Sequence, residues 1–241
     1  MNDVAPILDV RGLTAGYGDT VVVRDLSLRV QAGKCVVIIG PNGHGKSTLL
    51  RAVSGLMKPM AGEIWFDGER VDGEQAETIA HRGMVHIPQG DGLFADMTVE
   101  DNLLMGSFPK GSWKDRQATI ERVFDLFPIV RDKRAQRART LSGGERRLVG
   151  LGRGLMREGS ILLIDEPSLG LAPVMIDNVY GAIRSIVEAH RTVLLVEENF
   201  THIGEVADEV HVLETGSIVR SGSLEALMAD RTVVETYLGV L

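Results

Sequence analysis

Cysteine is nearly absent from this chain, with Cys35 the only one among 241 residues. No intrachain disulfide can form, and a reducing compartment is expected. Cys35 lies within the apolar run Cys35 to Ile39, where it reads as a small core residue rather than a reactive thiol. Long hydrophobic runs are also missing. No stretch reaches the ~20 apolar residues that a membrane span requires. The opening segment MNDVAPILDV lacks the basic and apolar regions of a secretory signal, so any service to a membrane is expected from its cytoplasmic side. Positive charge is in deficit as well: the net charge is −7 and the pI about 5.4, which gives non-specific nucleic-acid binding little support. The basic run Arg131 to Arg139 is the local exception. No aromatic residue interleaves it to stack bases, so it reads as a solvated loop between helices, and no nucleic-acid partner is expected.

What remains is an ordinary globular composition, 44% apolar and 24% charged, in a length that fits one domain or two small ones. Short alternating runs, Ile7 to Gly12 and Val21 to Val30, flank the turn-like Gly16-Tyr17-Gly18-Asp19 and predict an antiparallel β region near the N-terminus. Glu63 to Phe66 predicts a further strand there. Met84 to Ile87, Ile161 to Asp165 and Thr192 to Val196 read as strands, and the unbroken apolar character of Ile161 to Ile164 is that of a buried parallel strand. Helical spacing covers Lys46 to Leu56, Thr98 to Leu126, Ser142 to Met156 and Val174 to Ala189. Strands alternating with helices imply a mainly parallel sheet with crossover helices. The predicted fold class is α/β, with an N-terminal antiparallel β subdomain and an inserted helical subdomain. Residues 1–89 and 159–241 would form the core and β region, and 90–158 the helical insertion.

Two motifs carry the chemistry. Gly40-Pro41-Asn42-Gly43-His44-Gly45-Lys46-Ser47 follows an apolar strand and opens a helix, which is the setting of a phosphate-binding loop. In that setting Lys46 is placed to reach the β and γ phosphates, and the Ser47 hydroxyl to bind Mg²⁺. His44 is expected to point to solvent. Leu141-Ser142-Gly143-Gly144-Glu145 puts a second glycine-rich loop at another helix start, as if one nucleotide were gripped from two sides. The strand ending at Asp165 supplies a carboxylate for Mg²⁺, through water, and Glu166 one residue on can orient and polarise an attacking water.

These residues resemble the nucleotide-binding subunit of an ATP-binding cassette (ABC) transporter, and the resemblance covers essentially the whole chain. The phosphate loop of that family matches Gly40–Thr48, its signature loop Leu141–Glu145, its acidic strand Ile161–Glu166 and its glutamine loop Gln89. The order of the four is specific, and the LSGGE run separates this family most sharply from other phosphate-loop ATPases. The resemblance implies that Gly40, Asn42, Gly43, Gly45, Lys46, Ser47 and Thr48 hold ATP, and that Tyr17 stacks on adenine, whose π-face suits an aromatic ring. It implies that Gln89 touches Mg²⁺ and the attacking water. Ser142, Gly143 and Gly144 would contact the nucleotide of a second ATPase subunit, in a heterodimer or a homodimer. A permease would dock at residues 91–99, where Leu93, Phe94 and Met97 could line a groove or equally pack the helical insertion. The subunit would then sit at the inner face of the cell membrane.

Glu166-Pro167-Ser168-Leu169-Gly170-Leu171-Ala172-Pro173, Val196-Glu197-Glu198-Asn199 and Tyr237-Leu238-Gly239 narrow the resemblance to the ATPase subunits of branched-chain amino acid importers. One departure stands out. Most cassette ATPases carry a histidine that contacts the γ-phosphate, and Glu198 aligns there. An ionised carboxylate near that phosphate is repelled, so the chain's own site is expected to turn over slowly beside a partner ATPase. A soluble cassette protein acting on nucleic acid and a low-turnover nucleotide sensor are the competing functions. The first commonly needs two cassettes or long coiled-coil insertions, which 241 residues do not contain.

Overall fold

The structure, a computed structural model, describes residues 5–90, 92–107, 115–157, 159–198 and 200–230. Asn199 and the Tyr237-Leu238-Gly239 segment lie outside the described residues. The first hairpin pairs β1 (Leu8–Tyr17) with β2 (Thr20–Val30), and β1 also pairs antiparallel with β4 (Ala61–Phe66), which carries the short β5 (Glu69–Arg70). The alternation read in the sequence is the cause. Leu8, Val10, Leu13, Leu26, Leu28 and Val30 turn inward against Ile64 and Phe66, and all are buried.

The second sheet has the strand order β10-β9-β3-β8-β7-β6. Here β3 (Cys35–Ile39), β6 (Met84–Ile87), β7 (Ile161–Asp165), β8 (Thr192–Glu197) and β9 (Glu209–Glu214) run parallel, and β10 (Ser217–Gly222) returns antiparallel. The central strands are apolar throughout because both faces of the sheet are covered. One face packs on the antiparallel sheet and α1 (Lys46–Val53), and the other packs on α6 (Gly143–Leu155) and α7 (Pro173–Glu188). The α/β expectation holds, with a mostly parallel core sheet and a separate antiparallel one.

Between β6 and β7 the chain is helical: α3 (Val99–Leu104), α4 (Arg116–Leu126), α5 (Pro128–Asp132) and α6. The continuous helical spacing read over Thr98 to Leu126 resolves into α3 and α4, with residues 108–114 outside the description. α3 starts where a capping box forms, Thr98 Oγ1 accepting from the Asp101 amide. The basic run begins inside α5 and continues as turns. Its side chains pair with acids, Arg131 with Asp125, Lys133 with Glu145 and Arg139 with Asp96, as befits a solvated face. Two further short helices lie among the described residues: α2 (Ala76–His81) precedes β6, and α8 (Leu224–Ala229) follows β10.

The parallel arrangement has a geometric consequence. The carboxyl ends of β3, β8, β7 and β6 lie side by side, and each is followed by a loop that the sequence had singled out. Parallel α/β sheets bind ligands along this edge.

The tight turn of the first hairpin depends on Gly16. A Cβ built there would lie 1.9 Å from the Thr20 carbonyl oxygen, a backbone atom that cannot step aside. Gly16→Ala is expected to destabilise the fold by about 2–3 kcal/mol through overpacking, read as a lower midpoint in urea at unchanged slope.

Candidate functional site

The phosphate loop leaves β3 at the centre of the sheet. Gly40 sits so close to β9 that a Cβ there would fall 2.3 Å from the Leu213 carbonyl oxygen, and its own N–H donates to the Glu197 carbonyl. Gly43 and Gly45 both have positive φ, 82° and 104°, which glycine alone adopts without strain. The loop then feeds α1, whose first turn has no acidic residue and no side-chain cap, so its N–H groups remain available to an anion. His44 departs from expectation. It is half-buried, and its Nδ1 accepts from the Thr215 amide at 3.2 Å, tying the loop to the β9–β10 turn.

Lys46 is buried. Its Nζ donates to the Gly40 and Pro41 carbonyls at 2.6 and 3.1 Å and pairs with Glu166 Oε1 at 2.9 Å. Ser47 Oγ donates to Asp165 Oδ1 at 3.0 Å, and Gln89 Nε2 to Glu166 Oε2 at 3.0 Å. The strands supply this convergence. Gln89 follows β6, Asp165 ends β7, and Glu166 follows with its N–H donating to the Val196 carbonyl of β8. Burial pushes the Asp165 carboxyl up, and the charge of Glu166 adds to it, while Ser47, Arg51 and Lys46 pull the other way. Tyr17 flanks the opening, half exposed. Its hydroxyl accepts from Arg51 Nη1 at 2.8 Å, and a hydrogen bond with Thr48 holds its pKa below the usual tyrosine value despite partial burial.

Tyr17, Asn42, Gly43, Gly45, Lys46, Ser47, Thr48, Gln89 and Glu166 thus line one cleft of about 330 Å³. Its chemistry fits a nucleoside polyphosphate. A glycine-rich main chain and one buried ammonium face the space, with an aromatic ring at the rim. A hydroxyl beside a carboxylate, Ser47 with Asp165, is the hard oxygen donor set that suits Mg²⁺.

Ser142, Gly143 and Gly144 do not join this cleft. They open α6, Ser142 and Gly143 exposed and Gly144 buried, and Ser142 and Glu145 form a reciprocal capping box there. Burial raises the Glu145 carboxyl, but Lys133 and the Ser142 amide more than offset it, so its pKa is lowered. Gly144 is required by packing, since a Cβ there would lie 2.3 Å from Met175 Cε.

Sequence reasoning missed three residues of this neighbourhood. Glu197 is buried at the end of β8, and its carboxyl accepts from the Tyr180 hydroxyl at 2.9 Å and from the amides of Ser168 and Glu198, each at 3.2 Å. Tyr180 reaches it from the buried face of α7, and the combination of burial and Glu197 pushes the phenol pKa far up. Arg147 is buried on α6 and points at the end of β7. Glu198 is half-buried, with its N–H donating to the Glu197 carboxylate. Of Leu93, Phe94 and Met97, Phe94 alone lines the adjoining groove of about 420 Å³, with Gly92, Met105, Arg153 and Arg157, while Leu93 packs against the core.

A loop-to-helix phosphate cradle with an acidic strand beside it defines a nucleotide-binding ATPase. Comparison with known proteins makes the class particular. The model of the ABC transporter family matches residues 23–169. A high-affinity branched-chain amino acid transport ATP-binding protein of Pseudomonas aeruginosa is 39% identical over 223 residues, 92% of this chain and 95% of the relative. A probable branched-chain amino acid transport ATP-binding protein of Archaeoglobus fulgidus is 30% identical, covering 95% and 97%. The crystal structure of the ADP conformation of an ATP-binding cassette of an ABC transporter superposes with a TM-score of 0.86 at 25% identity, over 98% of this chain and 100% of that one. The chain belongs to the ABC transporter family, and it is an ATPase, the ATP-binding subunit of a transporter.

The β6 strand that precedes Gln89 also carries a half-buried histidine. His86 Nδ1 bonds Ser54 Oγ at 2.9 Å, and burial, with Arg51 nearby, drives its pKa from 6.5 down to about 4. Between about pH 6.5 and 4 the unfolded chain takes up a proton that the folded chain refuses. Stability therefore falls as pH falls through that window, by up to about 3 kcal/mol from this group. His86→Gln is expected to remove that pH dependence, so that between pH 7 and pH 4.5 the urea midpoint of the parent falls by more than that of the variant.

Proposed function

We propose that this chain hydrolyses ATP to drive import of branched-chain or related amino acids, or similar small polar solutes. The observation that carries the reading is the meeting of Lys46, Gln89 and Glu166 in one cleft beside the Ser47–Asp165 pair. The substrate class rests on the names of the relatives, which span nearly the full length of the chain.

In this reading Lys46 and the amides of Gly40, Asn42, Gly43, Gly45, Ser47 and Thr48 hold the phosphates, and Tyr17 packs on the base. Lys46 exchanges its loop carbonyls and Glu166 for phosphate oxygens, which frees the Glu166 carboxylate to face water. Glu166 orients that water and accepts its proton, and Gln89 fixes the far carboxylate oxygen. Ser47 and Gln89, with Asp165 through water, would hold Mg²⁺. When bound, the ion would supply charge neutralisation for the transferred phosphoryl group. Ser142, Gly143 and Gly144 lie outside the cleft and would act on the nucleotide of a second ATPase subunit. That pairing is a heterodimer in our reading, with this chain's own site the slower because Glu198 aligns with the γ-phosphate histidine of most cassette ATPases.

Residues 1–89 and 159–241 act as the core and 90–158 as the helical arm. The permease docks on the groove beside the 91–99 segment, with Phe94 as its exposed anchor at 48% exposure. Asp91 of that segment lies outside the described residues. No helix among the described residues is long and apolar enough to cross a membrane, so attachment to the inner face is through the permease.

Two measurements test this. Glu166→Gln should lower ATP turnover by about 10²-fold or more while ATP still binds, and equal turnover in variant and parent would sink the assigned role. A mild-detergent pull-down of the tagged chain from native membranes should recover multispan proteins and a second cassette ATPase. Recovery of ribosomes or nucleic-acid proteins instead would overturn the transport reading.

A further inference from the structure

We propose that Arg147 is a positioning residue that transmits the position of the Ser142 helix end to Glu166 of the same chain. The inference rests on the ATPase reading above. Arg147 stands on the second turn of α6, four residues beyond Gly143 at the helix start. Its buried guanidinium spans three separate backbone carbonyls. Nε donates to the Pro167 oxygen at 3.0 Å, Nη2 to the Glu166 oxygen at 2.8 Å, and Nη1 to the Gly90 oxygen. One side chain thereby joins α6 to the residue after Gln89 and to Glu166 itself.

The backbone it grips needs gripping. Glu166 has φ 42°, a left-handed conformation that a non-glycine residue holds only under outside constraint. Gly90 and Gly92, at φ 86° and 53°, carry no side chain of their own, and Arg153 of α6 binds the Gly92 carbonyl at 2.9 Å. From the opposite side the Glu197 carboxyl accepts the Ser168 amide. The segment from Glu166 to Ser168 is thus held through its carbonyls by α6 and through an amide by β8. A shift of α6 moves the first hold and not the second, and this rotates the main chain that aims Glu166. Whatever engages Ser142 therefore reaches the Glu166 carboxylate through a single turn of helix. The planar fork of arginine is what allows three carbonyls from different segments to be met at once, and a lysine ammonium cannot reproduce it.

The test uses the full chain as Arg147→Gln and Arg147→Lys, each alone and with Glu166→Gln. The first readout is hydrogen exchange by mass spectrometry. Segments 86–94 and 163–170 should both exchange faster in the variants, with 40–48 unchanged. The second is ATP turnover with Mg²⁺, alongside ATP binding by calorimetry. Arg147→Gln should lower kcat about 30-fold and Arg147→Lys about 10-fold, with ATP affinity held within about twofold. In the Glu166→Gln background neither change should lower the residual rate further, because Arg147 works through that carboxylate. An equal fold-loss with and without Glu166 would show a merely structural role and overturn the proposal, as would unchanged exchange at 163–170. If Arg147→Gln fails to fold, Arg147→Lys carries both readouts. A parent chain that hydrolyses no ATP would defeat the ATPase reading, while the exchange measurement would still decide the Arg147 linkage.

Discussion

Three acidic side chains are buried along one edge of the core sheet: Asp165, Glu166 and Glu197, with relative exposures of 3%, 4% and 3%. Taking a carboxyl group out of water costs several kcal/mol unless donors replace its hydration. Each of the three has its own set. Asp165 takes the Ser47 hydroxyl, Glu166 the Lys46 ammonium and the Gln89 amide, and Glu197 the Tyr180 hydroxyl with two backbone amides. Those donors arrive from α1, from the loop after β6, from α7 and from the chain on either side. Satisfying three acids therefore locates these elements against one another, and the parallel register that pairs Ile39 with Glu197 and Asp165 with Val196 keeps the acids level. Removing one donor would leave a buried acid short of a partner, which costs more than the hydrogen bond itself.

The same constraint explains why the helical arm cannot move independently of the cleft. α6 packs its buried face inward through Leu148, Val149 and Leu151; Gly154 lets it approach β6 closely, and Gly152 lets Leu103 and Val123 of the helical arm approach it. A Cβ at Gly154 would fall 2.5 Å from Ile87. Close packing of this kind fixes where Arg147 can reach. The charged group at the centre of the contact is satisfied by main-chain carbonyls of neighbouring segments, so the contact is directional in a way that an apolar one would not be.

Much of this was legible in the sequence where the physics is local. A phosphate loop needs glycines at left-handed positions, and it needs a strand before and a helix after. All of that is written in consecutive residues, so Gly43, Gly45, Lys46 and Ser47 could be placed beforehand. Asp165 was marked by ending an apolar run. Glu197 was missed for a related reason: reading the strand as apolar stops it at Val196, yet the ladder continues one residue further because Tyr180 and two amides satisfy the acid there. Arg147 sits beside Arg146, and two adjacent arginines give no local sign of which is inward. The periodicity held the answer. Arg147 lies three residues after buried Gly144 and four before buried Leu151, on the face of α6 that packs inward. His44 was misread because its partner, the Thr215 amide, is distant in sequence and adjacent only once β9 lies beside β3.

The arrangement at Asp165 favours ligand binding over stability. Burial holds this carboxyl above its ordinary pKa, and Glu166 one residue away adds repulsion. A group whose folded pKa is raised contributes its full share to stability only at low pH, and loses it as pH rises through the unfolded and then the folded value. At neutral pH the ionised acid is therefore a net cost to the bare fold. An asparagine could still accept the Ser47 bond without that penalty. In the proposed reading, the low dielectric that makes the bare carboxylate costly would also strengthen its attraction for a divalent cation held near the Ser47 hydroxyl. Binding there would offset that electrostatic cost and couple the stability of β7 to occupancy of the cleft.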